Sequence, residues 1–158
     1  EARVFSLYDM DIKPCSACRG CQNDWQRPAC VVQDDMQPIF GSVLQSDLLL
    51  LATPIYSWFC TPPMKAALDR LVYYGPAGRG PSLLAGKALA AGTTCGYRPE
   101  KGADLFLEAM ARWCKHGQLR WLGGLTERHL GYDTIFMDEE KAARARAFAA
   151  EIMKEMQP

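Results

Sequence analysis

The sequence lacks both a long hydrophobic run and an excess of charge of either sign. Its longest apolar stretch, Leu48 to Ala52, is far too short to cross a bilayer. Lysine and arginine together number 18, as do aspartate and glutamate, so the formal net charge is zero. This balance gives no indication of nucleic acid or of another strongly charged partner.

Several motifs of nucleotide-binding and hydrolytic enzymes are also missing. The sequence contains no G-x-G-x-x-G, no G-x-x-x-x-G-K-[ST] and no G-x-S-x-G. It has only two histidines: His116 is predicted at a helix C-terminus, where a structural role is expected, and His129 follows the last predicted strand, within reach of a ligand. No acid–base or nucleophilic constellation is therefore predicted, and no residue is assigned a catalytic role.

Cysteine, by contrast, is abundant. The chain has seven: Cys15, Cys18, Cys21, Cys30, Cys60, Cys95 and Cys114. An odd number and a C-x-x-C spacing argue against the disulfide framework of a secreted protein. We therefore expect a cytoplasmic protein whose thiols are free, redox-active or metal-bound.

Four of these cysteines lie close together in one polar segment. The spacing Cys15-x2-Cys18-x2-Cys21 resembles the first three ligands of a bacterial ferredoxin cluster, and Cys30 follows at a wider interval. Such thiolates could hold a [4Fe–4S] cluster or a zinc ion. The alternative is a solvent-facing thiol loop without metal, and the spacing alone leaves these readings open.

Apolar stretches alternate with amphipathic ones along the chain. Strands are predicted at 3–8, 48–56, 87–94 and 119–125, and helices begin near Asp34, Thr61, Asp104 and Asp138, with Gly117 after the third helix. The inward helix positions include Ile39, Val43, Met64, Leu68, Leu71, Leu105, Phe106, Met110, Trp113 and Ile152. A glycine- and proline-rich loop is expected at 75–86. The order predicts one α/β domain over residues 1–158 with a parallel sheet, and the continuous apolar run at 48–56 predicts a strand buried on both faces.

Two loops follow predicted strands at the edge where open α/β sheets bind ligands. The first contains Pro54, Ile55, Tyr56, Ser57, Trp58 and Phe59, and its aromatics could form the wall of a site for a flat heterocycle. The second contains Thr93, Thr94, Cys95, Gly96 and Tyr97, where small residues allow close approach of backbone to a ligand. The alternatives are aromatics that pack beneath the next helix and an ordinary strand-to-helix turn.

Two blocks of the sequence resemble a known family. The first is Pro14-Cys15-x2-Cys18-x2-Cys21, then Cys30 and Asp34-Asp35-Met36. The second is Ser46-Asp47, Thr53-Pro54-Ile55-Tyr56, Met64-Lys65 and Leu68-Asp69-Arg70. Their order and spacing, over Ile12 to Arg70, resemble the NAD(P)H-dependent FMN reductase and iron–sulfur flavoprotein group of the flavodoxin-like superfamily.

This resemblance implies a three-layer flavodoxin-like sandwich that binds FMN and assembles as a homodimer or homotetramer. It implies that the two loops flank the isoalloxazine ring, that NAD(P)H is the co-substrate, and that a quinone-like or other small acceptor is then reduced. The flavin carries the chemistry in such enzymes. One alternative is an iron–sulfur flavoprotein with a [4Fe–4S] cluster on Cys15, Cys18, Cys21 and Cys30. Another is a non-enzymatic flavodoxin-type carrier, which the zero net charge disfavours because such carriers tend to be acidic.

The resemblance also implies a segment ahead of Glu1. The family begins with a strand and a Gly/Ser-rich loop that binds the FMN phosphate, and in the strand order 2-1-3-4-5 that strand is central. We therefore expect a preceding βα unit on the order of 30 residues. An intact mass equal to that of the 158 residues, from a folded monomer, would contradict this expectation.

Overall fold

A computed structural model describes residues 1–24, 26–71, 81–131 and 133–157. Within them, three parallel strands form one sheet in the order β1 (Leu48–Pro54), β2 (Ala88–Cys95) and β3 (Arg120–Arg128). Each crossover between them contains helix, which is how parallel strands are joined. The carboxyl ends of all three strands consequently lie at one edge of the sheet.

Helices flank this sheet and alternate with its strands. They are α1 (Met36–Gln45), α2 (Pro62–Leu71), a single-turn α3 (Pro99–Gly102), α4 (Asp104–Gly117) and α5 (Glu139–Glu155). The alternation confirms the predicted α/β class with a parallel sheet. Among the described residues, no helix is long and apolar enough to cross a membrane.

The core lies where α1, α2 and α4 meet the central strand β2. Its fully buried members include Met36 of α1, Leu89 of β2, and Phe106 and Cys114 of α4. Apolar residues at helical spacing in α2 complete it, namely Met64, Ala67, Leu68 and Leu71. The 3.6-residue periodicity predicted Met64, Leu68, Leu71 and Phe106 as inward positions, whereas it did not single out Met36 or Cys114.

The predicted strand at 3–8 is wrong. This segment is extended but pairs with no strand of the described sheet, and it ends in a 3₁₀ turn at Leu7–Asp9. Val4 is 92% exposed and Tyr8 is 90% exposed, whereas Phe5 and Leu7 pack partly against the core. Phe5 and Leu7 therefore anchor a surface segment to the core. The segment does not form a strand, because no neighbouring strand of the described sheet pairs with its backbone.

The strand predicted at 48–56 exists, but its burial on both faces is wrong. Leu49 and Leu51 pack against the core, while Leu50 is 59% exposed and Ala52 is exposed. β1 is an edge strand within the described residues, and its second face has no helix over it there. The strand also ends at Pro54, because the chain turns back on itself at Tyr56.

Two predictions for α4 need correction. Leu105 does not face the core but is 58% exposed. The helix is ended by Gln118, whose φ of 59° is left-handed, and Gly117 is its last residue. A Cβ at Gly117 would lie 2.6 Å from Leu119 Cδ1, so a larger residue there would require the Leu119 side chain to shift.

The remaining boundaries agree more closely. Asp138 caps α5 as predicted, since its Oδ1 accepts a hydrogen bond of 2.8 Å from the Lys141 N–H. β3 begins within a residue of its predicted start but runs on to Arg128, with a register irregularity opposite Leu89 and Ala91. Of the predicted loop at 75–86, positions 75–80 lie outside the described residues.

Candidate functional site

The two loops predicted to bind a flavin are neighbours at the carboxyl edge of the sheet. The Ile55 N–H donates a 2.7 Å hydrogen bond to the Thr94 carbonyl, which extends the β1–β2 pairing into the loops. Beneath them Thr53, Thr93 and Thr126 lie side by side in the sheet register. Thr93 and Thr126 are joined by a 2.7 Å hydrogen bond between their hydroxyls, so Thr93 supports the loops from below and is buried.

The first loop is a tight hairpin. Tyr56 and Phe59 exchange backbone hydrogen bonds of 2.8 and 3.0 Å across the two residues between them. Those two residues, Ser57 and Trp58, have φ angles of 49° and 63°. Two positive φ values are the signature of the turn that fits a two-residue hairpin, and they are costly for residues other than glycine, asparagine or aspartate. Strain of this kind concentrates at functional sites.

The aromatic side chains of the hairpin point in two directions. Trp58 stacks on Tyr97 of the second loop, with ring centroids 5.5 Å apart and an interplanar angle of 27°. Its indole Nε1 donates a 3.1 Å hydrogen bond to the Lys101 carbonyl. Tyr56 and Tyr97 are each 61% exposed and Trp58 is 45% exposed, whereas Phe59 turns inward and meets Phe106 edge to face. Of the hairpin aromatics only Phe59 packs against the core, where it meets α4 rather than the helix that follows the loop.

The second loop is held by hydrogen bonds from Arg128 and His129 and by close packing against α3. The His129 N–H donates to the Cys95 carbonyl at 2.9 Å, and Arg128 Nε donates to the Gly96 carbonyl at 3.1 Å. Gly102 of α3 lies against the loop so closely that a Cβ there would be 2.6 Å from Cys95 Sγ and 3.3 Å from Tyr97 Cβ. The position of the Tyr97 ring is thus set by β3 and α3 together.

Four backbone donors at the loop tips are unused. The N–H groups of Ser57, Trp58, Gly96 and Tyr97 make no hydrogen bond within the part of the chain that the structure describes. Exposed aromatic faces with free N–H groups beside them suit a flat heterocycle whose edge carries carbonyl and nitrogen acceptors. The isoalloxazine ring of FMN has these properties, so the residues present fit it.

The four-cysteine segment forms a second feature. Cys15, Cys18, Cys21 and Cys30 line one small pocket, and Arg70 of α2 lies in its wall. Cys15 and Cys18 are exposed, and the other two are half-buried. Burial raises the pKa of the Cys21 thiol, and the neighbouring Cys30, Cys15 and Cys18 raise it further. The four sulfurs are therefore close enough to interact electrostatically.

Their arrangement bears on the kind of metal. Among the described residues, no three or more His, Cys, Asp or Glu side chains converge tightly enough to hold a metal ion. A zinc ion needs four sulfurs about 2.3 Å from one point, which this arrangement does not offer. A cubane cluster instead binds each thiolate at a different iron, so it needs cysteines around a pocket. In residue type, and in lining one pocket, the four cysteines suit a cluster better than a single ion.

Both ends of the cysteine segment are tied to the fold by two carboxylates. Asp34 accepts hydrogen bonds from the Lys13 N–H at 2.9 Å and the Met36 N–H at 3.1 Å. Asp35 accepts one from the Asp11 N–H at 2.8 Å. The sequence predicted Asp34 only as a helix cap, and these bonds show that it also closes the segment at its base.

Asp34 forms a fully buried ion pair with Arg70. Burial opposes ionisation of Asp34, but the hydrogen bonds from Arg70, Lys13 and Met36 outweigh it and hold its pKa below the usual range. The sequence alone predicts no role for Arg70. The signal that could have found it is its place three residues after Ala67, on the buried face of α2.

The other three cysteines are buried and lie outside the cysteine pocket, and Cys95 belongs to the second loop. Cys60, Cys95 and Cys114 are buried, and burial raises the pKa of Cys60 and of Cys114 to about 11 and raises that of Cys95. Of the histidines, His129 bonds Thr134 Oγ1 through Nε2 at 3.1 Å and packs against Phe136. His116 lies in the last turn of α4, where a structural role was expected.

The chain is similar in sequence to flavin-binding reductases and iron–sulfur flavoproteins. The family model described as NADPH-dependent FMN reductase matches residues 1–115. An iron–sulfur flavoprotein from Methanosarcina thermophila is 27% identical over 143 residues, which are 87% of this chain and 71% of that protein. An iron–sulfur flavoprotein from Archaeoglobus fulgidus is 36% identical over 63 residues, which are 40% of this chain but only 29% of that protein.

A solved structure gives the same fold. The apo form of an NADH:FMN oxidoreductase superposes with a TM-score of 0.57 at 18% identity, over 94% of this chain and 68% of that one. At this identity the likeness concerns the fold alone. It confirms the predicted flavodoxin-like architecture.

Proposed function

The chain belongs to the NADPH-dependent FMN reductase family, and we propose that it is an FMN-dependent oxidoreductase whose flavin ring lies against the hairpin and the Tyr97 loop. The observation that carries this proposal is the pair of stacked, exposed aromatics Trp58 and Tyr97 beside four unused backbone N–H groups. FMN, when bound, supplies hydride and single-electron chemistry. The protein then has to hold, orient and shield the ring.

Each part of the site has one of these tasks. The N–H groups of Ser57 and Gly96 orient the heterocycle edge, and the aromatics Tyr56, Trp58 and Tyr97 cover its faces and exclude water. The threonine row and Gly102 hold the loops in place from below. No side chain of the two loops is assigned a proton transfer in this scheme.

NAD(P)H is the proposed electron donor, and a quinone-like or other small molecule is the proposed acceptor. The family description supports the donor, and the exposure of the aromatic faces supports access by both molecules in turn. We further propose that the protein is cytoplasmic and works as a homodimer or homotetramer.

A colour and turnover assay tests this function. The protein purified with FMN should show oxidised-flavin absorbance that NADH or NADPH bleaches and that a quinone restores. The Trp58→Ala variant should lose most of the bound flavin, while Tyr8→Ala, which removes an aromatic that is 90% exposed and lies outside the two loops, should retain it. A colourless protein that consumes neither nucleotide would contradict the proposal.

A second candidate function is electron transfer through an iron–sulfur cluster as well as the flavin. The specific observation that favours it is the pocket lined by Cys15, Cys18, Cys21 and Cys30. The curated relatives, which are named iron–sulfur flavoproteins, add support. These cysteines would bind a [4Fe–4S] cluster, which would supply one-electron transfer.

Iron and sulfide analysis after anaerobic purification tests the cluster. About four irons and four acid-labile sulfides per chain are expected. Cys18→Ser should abolish them, while Ser16→Ala on the same loop should not. A chain that contains flavin but no iron would eliminate this second candidate and leave the first intact.

A further inference from the structure

Arg70 is a buried cation beside the cysteine pocket. Its residue exposure is 4%, although it is an arginine at the C-terminal end of a helix. Its Nη2 atom lies 3.4 Å from Cys30 Sγ and 3.2 Å from the Val32 carbonyl. Its Nη1 atom lies 3.3 Å from the Lys13 carbonyl. One guanidinium therefore contacts the segment on both sides of its cysteines.

The orientation of this guanidinium is fixed by Asp34. The carboxylate binds Nη1, so that Nη2 is left to face Cys30. Asp34 is itself held by two backbone N–H groups and has no exposed side-chain surface. Because the guanidinium is planar and Asp34 fixes its Nη1 atom, the N–H groups of Nη2 point in one direction, toward Cys30.

One N–H donor of Arg70 has no acceptor among the described residues. Its Nε atom is buried and has no hydrogen-bond partner within the described residues. A buried donor without a partner is costly, and native proteins rarely keep one unless the site gives it a role. The residue lies in the wall of the pocket that the four sulfurs line. A sulfur acceptor in that pocket would relieve the cost.

We propose that Arg70 is a positioning residue that holds Cys30 as a cluster ligand and raises the reduction potential of the cluster. The inference rests on the second candidate function above. Reduction adds one electron, taken from a low-potential one-electron donor, to the cluster and its four thiolates, and no bond is made or broken. A hydrogen bond donated to a ligand sulfur favours the state with the extra negative charge, and the cationic member of the Asp34–Arg70 pair is the one that contacts Cys30. Without Arg70 the cluster should therefore be harder to reduce.

The test is an anaerobic redox titration of the cluster, followed by electron paramagnetic resonance. Removing Arg70 alone would leave Asp34 buried and unpaired, so the main variant is the double substitution Asp34→Asn, Arg70→Gln. We expect its reduction equilibrium to shift about tenfold toward the oxidised form, a midpoint about 59 mV lower. The spectrum should also change, because a hydrogen bond to a ligand sulfur is lost.

Two further variants make the result decisive. Arg70→Lys keeps the positive charge, but a single ammonium nitrogen cannot bind Asp34 and Cys30 in the way that the two guanidinium Nη atoms do. The midpoint potential of its cluster should therefore lie between those of the wild type and the double variant. It decides the question by itself if the double variant does not fold. Arg27→Gln removes an arginine that is 79% exposed on the same segment and should leave the midpoint unchanged.

The possible failures are distinct. Clusters of equal potential and equal spectrum in the wild type, Arg70→Lys and the double variant would overturn this inference while leaving the cluster in place. A wild-type protein without iron and sulfide would overturn the second candidate function and this inference with it. In that case the flavin assay alone would decide the first function.

Discussion

At the scale of single residues, the cysteines divide by burial into two chemical classes. Cys15 and Cys18 are exposed in the polar segment, while Cys60, Cys95 and Cys114 are buried with raised pKa values. Only thiolates that solvent can reach react quickly with alkylating agents. Reactivity should therefore separate the exposed cysteines from the buried ones.

Alkylation of the native, metal-free protein with iodoacetamide at pH 8 checks this. Peptide mass analysis should find Cys15 and Cys18 modified first, and Cys60 and Cys114 unmodified until the protein is unfolded in denaturant. Denatured protein is the control, in which all seven should react. Early modification of Cys114 in the native state would contradict the described core.

The Asp34–Arg70 ion pair makes a second residue-scale prediction. The pKa of Asp34 is lower in the folded state than in an unfolded chain, where it is about 3.9. Stability from this carboxylate is thus fully present above pH 4 and is lost as the pH falls through the folded pKa. The free energy of unfolding, measured by urea denaturation, should therefore fall as the pH is lowered from about 4 toward the folded-state pKa of Asp34.

Substitutions of Arg70 and Asp34 show whether this ion pair causes the loss of stability at low pH. Arg70→Met should cost about 3–5 kcal/mol at pH 7, because it leaves a buried carboxylate unpaired. Adding Asp34→Asn should recover much of this loss and flatten the pH dependence. Asp69→Asn, which removes a carboxylate from an exposed pair with Lys65, should change neither. A steep acid-dependent loss in the double variant would assign the effect to other carboxylates.

At this scale the sequence predicted which residues cluster but not how they are connected. The C-x-x-C spacing left a shared metal site and a metal-free thiol loop as alternatives, and the structure shows that the four cysteines line one pocket. The role of Arg70 was missed because its partners Lys13, Cys30 and Asp34 are 36 to 57 positions away along the chain. Such contacts depend on the packing of α2 against the segment, which no local pattern encodes.

At the scale of elements, the hairpin between β1 and α2 carries backbone strain. Ser57 has a φ of 49°, which glycine adopts without steric cost. Ser57→Gly should therefore raise the free energy of unfolding by up to about 1 kcal/mol. Ser42→Gly, in the helix α1, should lower it, since glycine weakens helix interiors. A loss of stability in Ser57→Gly, measured by urea denaturation, would show that the hairpin has another conformation.

The contact between α3 and the second loop makes the next prediction. A Cβ at Gly102 would lie 2.6 Å from Cys95 Sγ, so Gly102→Ala must displace the loop that carries Tyr97. We expect a loss of about 1–3 kcal/mol in stability and weaker FMN binding. Gly41→Ala, in α1, meets nothing within 4 Å and should leave FMN binding unchanged. Equal FMN affinity in the two variants would contradict the role of α3.

Helices with a strong apolar periodicity were predicted well. Strands were predicted less well, because a strand also needs a partner strand to pair with. The apolar stripes of α1 and α2 and the Asp138 cap of α5 needed only local information. The segment at 3–8 has a strand-like pattern, yet a strand forms only beside a partner. The hairpin was predicted as a loop, because its positive φ angles fall on serine and tryptophan, which give no local signal.

At the scale of the whole molecule, the β1 edge of the described sheet leaves apolar surface exposed. Within the described residues β1 has no strand on its outer edge, and Leu50 is 59% exposed beside it. A long apolar edge of this kind normally pairs with or is covered by another element. The expected further βα unit would meet this need, and it stays a prediction. Mass spectrometry of the intact protein from its native source is the measurement that checks it.

The central claim is that the two aromatic loops form the flavin site. Its most direct measurement is a titration of the metal-free protein with FMN, followed by flavin fluorescence. We predict one FMN per chain, and an affinity about tenfold weaker for Trp58→Ala and for Tyr97→Ala but unchanged for Tyr8→Ala. Equal affinity in all four proteins, or no binding by the wild type, would contradict the account.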